Sequence, residues 1–286
     1  MTVLEAIRRS TDFLAQKGIE SPRLQAELLL AHALNLRRMQ LYLHFDQTLA
    51  TEEIERCREL VRRRGQHEPL QYVTGTACFC GLDLAVNSDV LIPRPETELL
   101  AERAWNFMNQ FLSGEKRELS VLDFGTGSGC LAIAIAVNCP IARVGALDNS
   151  EDALEVAKKN AVRHGVFERV RFSHGSGLEM LPPEISFDLL VSNPPYIPTA
   201  EIDTLAPEVR DHEPRSALDG GSDGLDVFRV LAEEARTRLK PTGRMMFEFG
   251  DGQSGPLREL LEKQKWVVEE IVRDYNQRPR IIVARQ

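Results

Sequence analysis

From Ser120 onward, short apolar runs alternate with helical periodicities, and few folds accommodate that order. Residues 121–124, 144–148, 170–173, 187–192 and 245–249 read as strands, and 130–137, 151–164, 224–239 and 256–264 as helices. Strands separated by helical crossovers form a parallel sheet, because parallel neighbours cannot be joined by a tight turn. The last two runs, 266–272 and 280–284, are joined by a short turn and are expected to pair antiparallel. The expected class is α/β, with a Rossmann-like sheet.

The first 75 residues differ. Leu4, Ile7, Phe13 and Leu14 form a helical stripe. Ser21 and Pro22 are expected to cap a second helix, and Thr51, ahead of Glu52 and Glu53, a third. The third ends at Arg62, Arg63, Arg64 and Gly65, which reads as a helix C-terminus; the alternative is a partner-binding basic patch. Residues around Gly81 are β-branched and aromatic and predict a hairpin. The expected organisation is a helical domain at 1–75, a β-hairpin connector at 76–92 and the α/β domain at 93–286.

Composition excludes some functions. The 286 residues carry a net charge of −8, which disfavours bulk binding to nucleic acid. Residues 1–90 hold eleven basic and twelve acidic side chains, so no basic recognition region emerges there. The N-terminus reads as an amphipathic helix without a signal-peptide core, and no stretch is long and apolar enough to span a bilayer. With five scattered cysteines, an odd number, a reducing cytoplasm is expected. Cys78 and Cys80 would share one face of a strand, leaving a metal or redox pair as an alternative, but no CxxC motif or histidine partner accompanies them. No metal is expected.

Asp123 and Phe124 lead into Gly125, Thr126, Gly127, Ser128 and Gly129, between a strand and a helix. Glycines there permit unusual backbone angles and close ligand approach, and the helix start supplies free N–H groups. A dinucleotide fingerprint would need glycine where Cys130 stands, and a P-loop would need a lysine. The remaining G-x-G-x-G spacing is that of S-adenosylmethionine sites. Asp148 ends the next strand, where a carboxylate can accept from both ribose hydroxyls. The alternative is an ordinary strand-to-helix turn with Asp148 as a cap.

Ser192, Asn193, Pro194, Pro195 and Tyr196 follow a strand and so belong at the carboxyl edge of the sheet. Two prolines remove two backbone donors and stiffen the turn. The turn then presents acceptors, the Asn193 side-chain oxygen and the Pro194 carbonyl, which suit the two hydrogens of an NH2 group. A planar amide or amino nitrogen is a poor nucleophile, and holding both hydrogens stabilises the positive charge that develops as it attacks a sulfonium methyl. Tyr196 would pack over the planar group. A plain strand-ending turn is the alternative.

These motifs, with LIPRPETE at 91–98, HEP at 212–214, ALDGG at 217–221 and DGL at 223–225, are similar to those of the HemK/PrmC family, the release-factor glutamine methyltransferases. The resemblance covers nearly the whole chain. NPPY alone is shared with DNA adenine methyltransferases, whereas the PRPETE and ALDGG segments are narrower signals. The resemblance implies a seven-stranded methyltransferase domain behind a helical N-terminal domain. It implies S-adenosylmethionine as cofactor, contacted by Gly125 to Gly129, Asp148, Ser176, Gly177 and Asn193. It also implies a substrate, the glutamine of the Gly-Gly-Gln motif in class-1 release factors, held at Asn193, Pro194, Pro195 and Tyr196 with Arg94 and Glu96 nearby. Arg94 alternatively reads as a surface residue, and Glu96 and Glu98 as the acidic first turn of a helix. His212 reads as a loop brace. The chain departs from the family at Gly177, where an adenine-packing side chain is usual, and in the tail at 274–280. The competing functions are an adenine amino methyltransferase acting on nucleic acid and a silent nucleoside-binding module.

Overall fold

The computed structural model of the chain describes residues 1–113 and 118–286. They form two compact units. One comprises Met1–Thr76 with Ala206–His212, the other Ala77–Leu205 with Glu213–Gln286.

The first unit holds α1 (Val3–Gln16), α2 (Pro22–Ala33), α3 (Thr51–Arg64) and the short α4 (Leu70–Thr74). Val3, Ile7, Leu14, Leu29, Leu30 and Leu60 are buried in one cluster, so amphipathic packing sustains helices too short to persist alone. At α1, Thr2 Oγ1 accepts from the Glu5 N–H while the Glu5 carboxylate accepts from the Thr2 N–H, a reciprocal cap. The other two caps differ from expectation. Ser21 adopts a left-handed φ of 47° and makes no side-chain cap bond; Pro22, which lacks an N–H, opens α2. Thr51 is already helical, and the Glu53 carboxylate instead accepts from the Ala50 N–H at 2.8 Å. The three arginines ending α3 have partners within this unit: Arg62 with Glu59, Arg63 with Glu68, and Arg64 with Gln25 and Glu208. Glu208 also meets His67 and belongs to the returning segment 206–212, whose membership of this unit no sequence signal marks.

β1 (Thr76–Phe79) and β2 (Leu82–Ala85) form a two-stranded hairpin. Its turn residues, Cys80 and Gly81, both have positive φ, the geometry that matches strand twist in a two-residue hairpin. Cys80 therefore lies in the turn, and the shared strand face expected for Cys78 and Cys80 does not form. Both thiols are free, and among the described residues no group of three or more His, Cys, Asp or Glu side chains is placed to hold a metal.

The second unit continues with α5 (Pro95–Asn109), β3 (Leu119–Phe124), α6 (Cys130–Asn138), β4 (Ala142–Asp148), α7 (Glu151–Arg163), β5 (Val170–His174) and β6 (Phe187–Ser192). After α8 (Pro207–Arg210), which lies in the helical unit, come α9 (Asp226–Arg238), β7 (Leu239–Glu248), α10 (Ser254–Lys263), β8 (Val267–Arg273) and β9 (Pro279–Arg285). The seven strands β3 to β9 form one sheet in the order β5-β4-β3-β6-β7-β9-β8. The first five in that order run parallel, and β9 is antiparallel to both β7 and β8. Helices cover the sheet, so β6 is buried at every position and reads as one apolar run. Leu100, Leu131 and Ile135 belong to one core cluster, Phe228, Phe247 and Leu257 to another.

Strand order positions the site. The chain leaves β3 toward β4 and β5, then returns to pair on the other flank of β3 as β6. A crevice opens beyond the carboxyl ends of strands where the order reverses. Phe124 and Ser192, the last residues of β3 and β6, stand in register, and Ser192 Oγ donates to the Phe124 carbonyl at 2.6 Å. The glycine loop and the proline turn thus start side by side.

Asn160 fixes the hairpin to that edge. Its side-chain amide donates to the Ala85 and Ser128 carbonyls, and its oxygen accepts from the Ala85 N–H at 2.7 Å. Replacing it with leucine leaves three backbone groups without this partner. Asn160→Leu is expected to lose at least about 3 kcal/mol, as each of the three unsatisfied groups costs about 1–3 kcal/mol. Urea unfolding with an unchanged midpoint would contradict that assignment.

Candidate active site

The glycine loop holds its shape through three positive φ values, 72° at Gly125, 53° at Gly127 and 81° at Gly129. Their purposes differ. A Cβ on Gly129 would stand 2.9 Å from Ile133 Cδ1 and 3.1 Å from Ala157 Cβ, so this glycine lets α6 approach α7. A Cβ on Gly125 or Gly127 would meet nothing within 4 Å, and both residues line an open cleft. Thr126 turns inward: its hydroxyl donates to Asp123 Oδ2 at 2.7 Å, and the Ala132 N–H reaches the same oxygen. Ser128 is buried as well. Of the five loop residues expected at the cofactor, two line the cleft and three pack within the fold.

Asp123 is fully buried, and burial pushes its pKa up to about 7. The bonds from Thr126 and Ala132 oppose that rise, while the Asp148 charge adds to it. Asp148, at the end of β4, lies in the cleft wall. Its Oδ2 accepts from the Gly127 N–H at 2.7 Å and its Oδ1 from the Ser150 N–H at 3.0 Å. Burial raises its pKa too, against the pull of those backbone donors. Each oxygen keeps a further acceptor site, enough for a pair of vicinal hydroxyls.

Gly175 and Ser176 line the same cleft, whereas Gly177 is buried outside that lining. The apolar wall comes from elsewhere: Leu91, Pro214 and Ala217, with Val227 and Val230 on α9. Sequence reasoning missed the two valines, because one face of an amphipathic helix carries no mark of what it faces.

Asn193 and Pro195 reach the cleft; Pro194 and Tyr196 do not line it. The turn is held from behind. The Ile197 N–H donates to the Leu218 carbonyl, the Gly220 N–H to the Ile197 carbonyl, and Gln253 Nε2 to the Tyr196 carbonyl at 2.8 Å. A Cβ on Gly220 would stand 2.8 Å from the Pro195 carbonyl, and one on Gly224 only 2.2 Å from that of Tyr196. The ALDGG and DGL segments are therefore a backing for the turn, and two of their glycines are required by close approach.

Asn193 Nδ2 donates to Thr97 Oγ1 at 3.1 Å, and that hydroxyl donates to Glu248 Oε2 at 2.7 Å. Tyr196 Oη stands 3.5 Å from Glu248 Oε1, so its ring is turned toward this network. Glu248 is buried at the end of β7, and burial pushes its pKa up to about 7. Thr97, Arg280 and Tyr196 oppose the rise, and Glu96 adds to it. Sequence reading missed Thr97 and Glu248, although Thr97 sits inside PRPETE.

The other expected substrate residues lie outside the cleft lining. Arg94 forms a 2.5 Å ion pair with the buried Glu213, which also accepts from the Ile92 N–H. That pair ties the PRPETE segment to the HEP segment. Glu96 is in the first turn of α5, and Glu98 accepts from the Cys80 N–H at 2.7 Å. His212 lies in the segment that packs with the helical unit.

The cleft suits a nucleoside-bearing cofactor such as S-adenosylmethionine: glycines open to backbone approach, a carboxylate for the ribose, an apolar wall for a base, and the Asn193 turn at its edge. Comparison with known proteins agrees. Residues 5–75 match the PrmC N-terminal domain and residues 103–209 the methyltransferase small domain. The chain is 47% identical to the release factor glutamine methyltransferase of Geobacter sulfurreducens, over 88% of this chain and 86% of that protein. It is 44% identical to that of Chlorobaculum tepidum, over 96% and 94%. Such identity over nearly full lengths marks a common family. A methyltransferase structure from Pyrococcus furiosus, 22% identical with a TM-score of 0.51 over 72% of this chain and 89% of that one, shares the fold.

Asp123 generates a stability prediction. Its folded pKa of about 7 exceeds the ordinary aspartate value, so its contribution is present in acid and is lost as pH rises through about 7. Both of its bonds are to one oxygen, which an asparagine oxygen can replace. Asp123→Asn is expected to reduce the fall in Tm from mildly acid to mildly alkaline pH; an unchanged slope would contradict the assignment.

Proposed function

The chain belongs to the family of release factor glutamine methyltransferases, and from that footing we propose that it methylates the side-chain amide nitrogen (N5) of the glutamine in the Gly-Gly-Gln motif of class-1 peptide chain release factors. It is an S-adenosylmethionine-dependent methyltransferase, and the cofactor, when bound, supplies an electrophilic methyl group on sulfur. In our reading, Gly125, Gly127 and Ser176 approach the cofactor, Asp148 accepts from its ribose hydroxyls, and the wall containing Val227 and Val230 packs its base.

The observation that carries the proposal is the orientation of Asn193. Its Nδ2 is committed to Thr97, which leaves Oδ1 as the end available to a substrate. Asn193 Oδ1 and the Pro194 carbonyl then accept the two hydrogens of the glutamine NH2. An amide lone pair is delocalised, and two aligned acceptors stabilise the positive charge that grows on nitrogen in the transition state. No strong base is required, because an alkylated amide loses its extra proton readily. The helical unit at 1–75 docks the release factor, and the cytoplasm, where translation ends, is the site of action. No described helix is long and apolar enough to cross a membrane. An adenine amino group could use the same two acceptors, but the near-balance of charge over residues 1–90 and the family membership favour the protein amide.

Two predictions follow from these roles. Asp148→Ala is expected to weaken S-adenosylmethionine binding by about 1.5–3 kcal/mol, the range for hydrogen bonds to a charged group; calorimetry showing full affinity in the folded variant would refute the ribose contact. A release factor whose target glutamine is changed to glutamate should not be methylated. Its carboxylate offers no hydrogen and faces two acceptors, and sites built around an NH2 group reject such analogues by about 10⁴–10⁵. Single-turnover assays with both substrates decide the matter, and robust transfer to the glutamate form would end the amide-clamp reading.

A further inference from the structure

Resting on the amide-clamp reading, we propose that Thr97 and Glu248 are positioning residues: they fix which end of the Asn193 amide faces the substrate, and so make the site read an NH2 group.

The two ends of an asparagine amide are nearly the same size but opposite in polarity, one accepting and the other donating. Shape alone cannot hold one end toward the cleft. A hydroxyl can, because it has a single proton. Thr97 lies buried in the first turn of α5, and its proton goes to Glu248 Oε2 at 2.7 Å. Only its lone pairs then face Asn193, and only the Nδ2 end can bind them, at 3.1 Å. An ionised Glu248 cannot donate, which keeps the chain running one way, from Asn193 to Thr97 to Glu248. The relay is 151 residues long in sequence and two hydrogen bonds long in space.

Glu248 also makes the relay depend on pH. Glu248 is faced by Thr97 and Glu96 of α5, Arg280 of β9 and the Tyr196 hydroxyl. Its pKa lies near 7 because of burial, with Arg280, Thr97 and Tyr196 limiting the rise. Once protonated, the carboxyl can donate to Thr97, whose own proton is then free to turn toward Asn193. That arrangement selects Oδ1 for Thr97 and presents Nδ2 to the substrate, donor against donor. Transfer should therefore fall on the acid side of about 7, while Thr97 and Glu248 themselves lie outside the lining of the cofactor cleft.

The test uses the full-length enzyme and a release factor carrying the Gly-Gly-Gln motif, with single-turnover transfer measured across pH and cofactor affinity by calorimetry. Thr97→Val keeps the side-chain shape and removes the hydroxyl. It should lower transfer by about 10²-fold, as loss of an oriented transition-state group does, with cofactor affinity retained. Thr97→Ser restores the hydroxyl and should recover most of the rate. Glu248→Gln cannot ionise and should remove the acid limb. Where Thr97→Val fails to fold, Glu248→Gln decides, and a retained limb overturns the proposal. Equal losses in Thr97→Val and Thr97→Ser would also overturn it, since packing alone would then explain both. Wild-type transfer by Thr97→Val beside a crippled Asn193→Ala would overturn the relay and leave the clamp standing. Wild-type transfer by Asn193→Ala would remove the clamp itself.

Discussion

A turn containing two successive prolines cannot anchor itself, because it has given up two of its backbone donors. Its place must come from what surrounds it, and the rest of this site depends on that support. Ile197 exchanges backbone hydrogen bonds with Leu218 and Gly220, Gln253 holds the Tyr196 carbonyl, and Ser192 ties the end of β6 to the end of β3. Gly220 and Gly224 press so closely against the turn that no side chain would fit at either position. The result is a proline turn braced from behind beside a glycine loop, set at the reversal in strand order.

The carboxylates around this edge show what the arrangement costs. Asp123 and Glu248 are buried with pKa values raised to about 7, and Asp148 is raised as well, each chiefly by loss of solvent. Burial of a charge is expensive unless hydrogen bonds compensate it. Here the compensating donors are the parts being organised: the loop's own Thr126 for Asp123, the Gly127 N–H for Asp148, and Thr97 for Glu248. Each acid thus orders a piece of the site, and each binds protons more readily than it would in water.

Features encoded locally were legible in the sequence. The strands between Val121 and Phe249, the glycine loop, the Asn193–Pro194–Pro195–Tyr196 turn and Asp148 all carry short-range patterns that survive folding. Caps were less legible: Ser21 stands at the N-cap ahead of Pro22 as expected but makes no side-chain cap bond, and the Glu53–Ala50 bond starts α3 one residue earlier than a Thr51 cap would. The division of labour within Gly125 to Gly129 depends on how closely α7 approaches, which no local pattern records. Thr97 stood within a recognised segment, yet its role appears only when β7 brings Glu248 beside it. The grouping of 206–212 with the helical unit has the same origin, since Glu208 meets Arg64 and His67 from far along the chain.

The account holds that this scaffold exists to present two acceptors to the hydrogens of a glutamine amide. The most direct measurement is mass spectrometry of a class-1 release factor after incubation with the enzyme and S-adenosylmethionine, with peptide mapping of the modified residue. The account requires a gain of one methyl group on the glutamine of the Gly-Gly-Gln motif. An unmodified release factor, alongside methylated adenine in a nucleic acid offered under the same conditions, would contradict it.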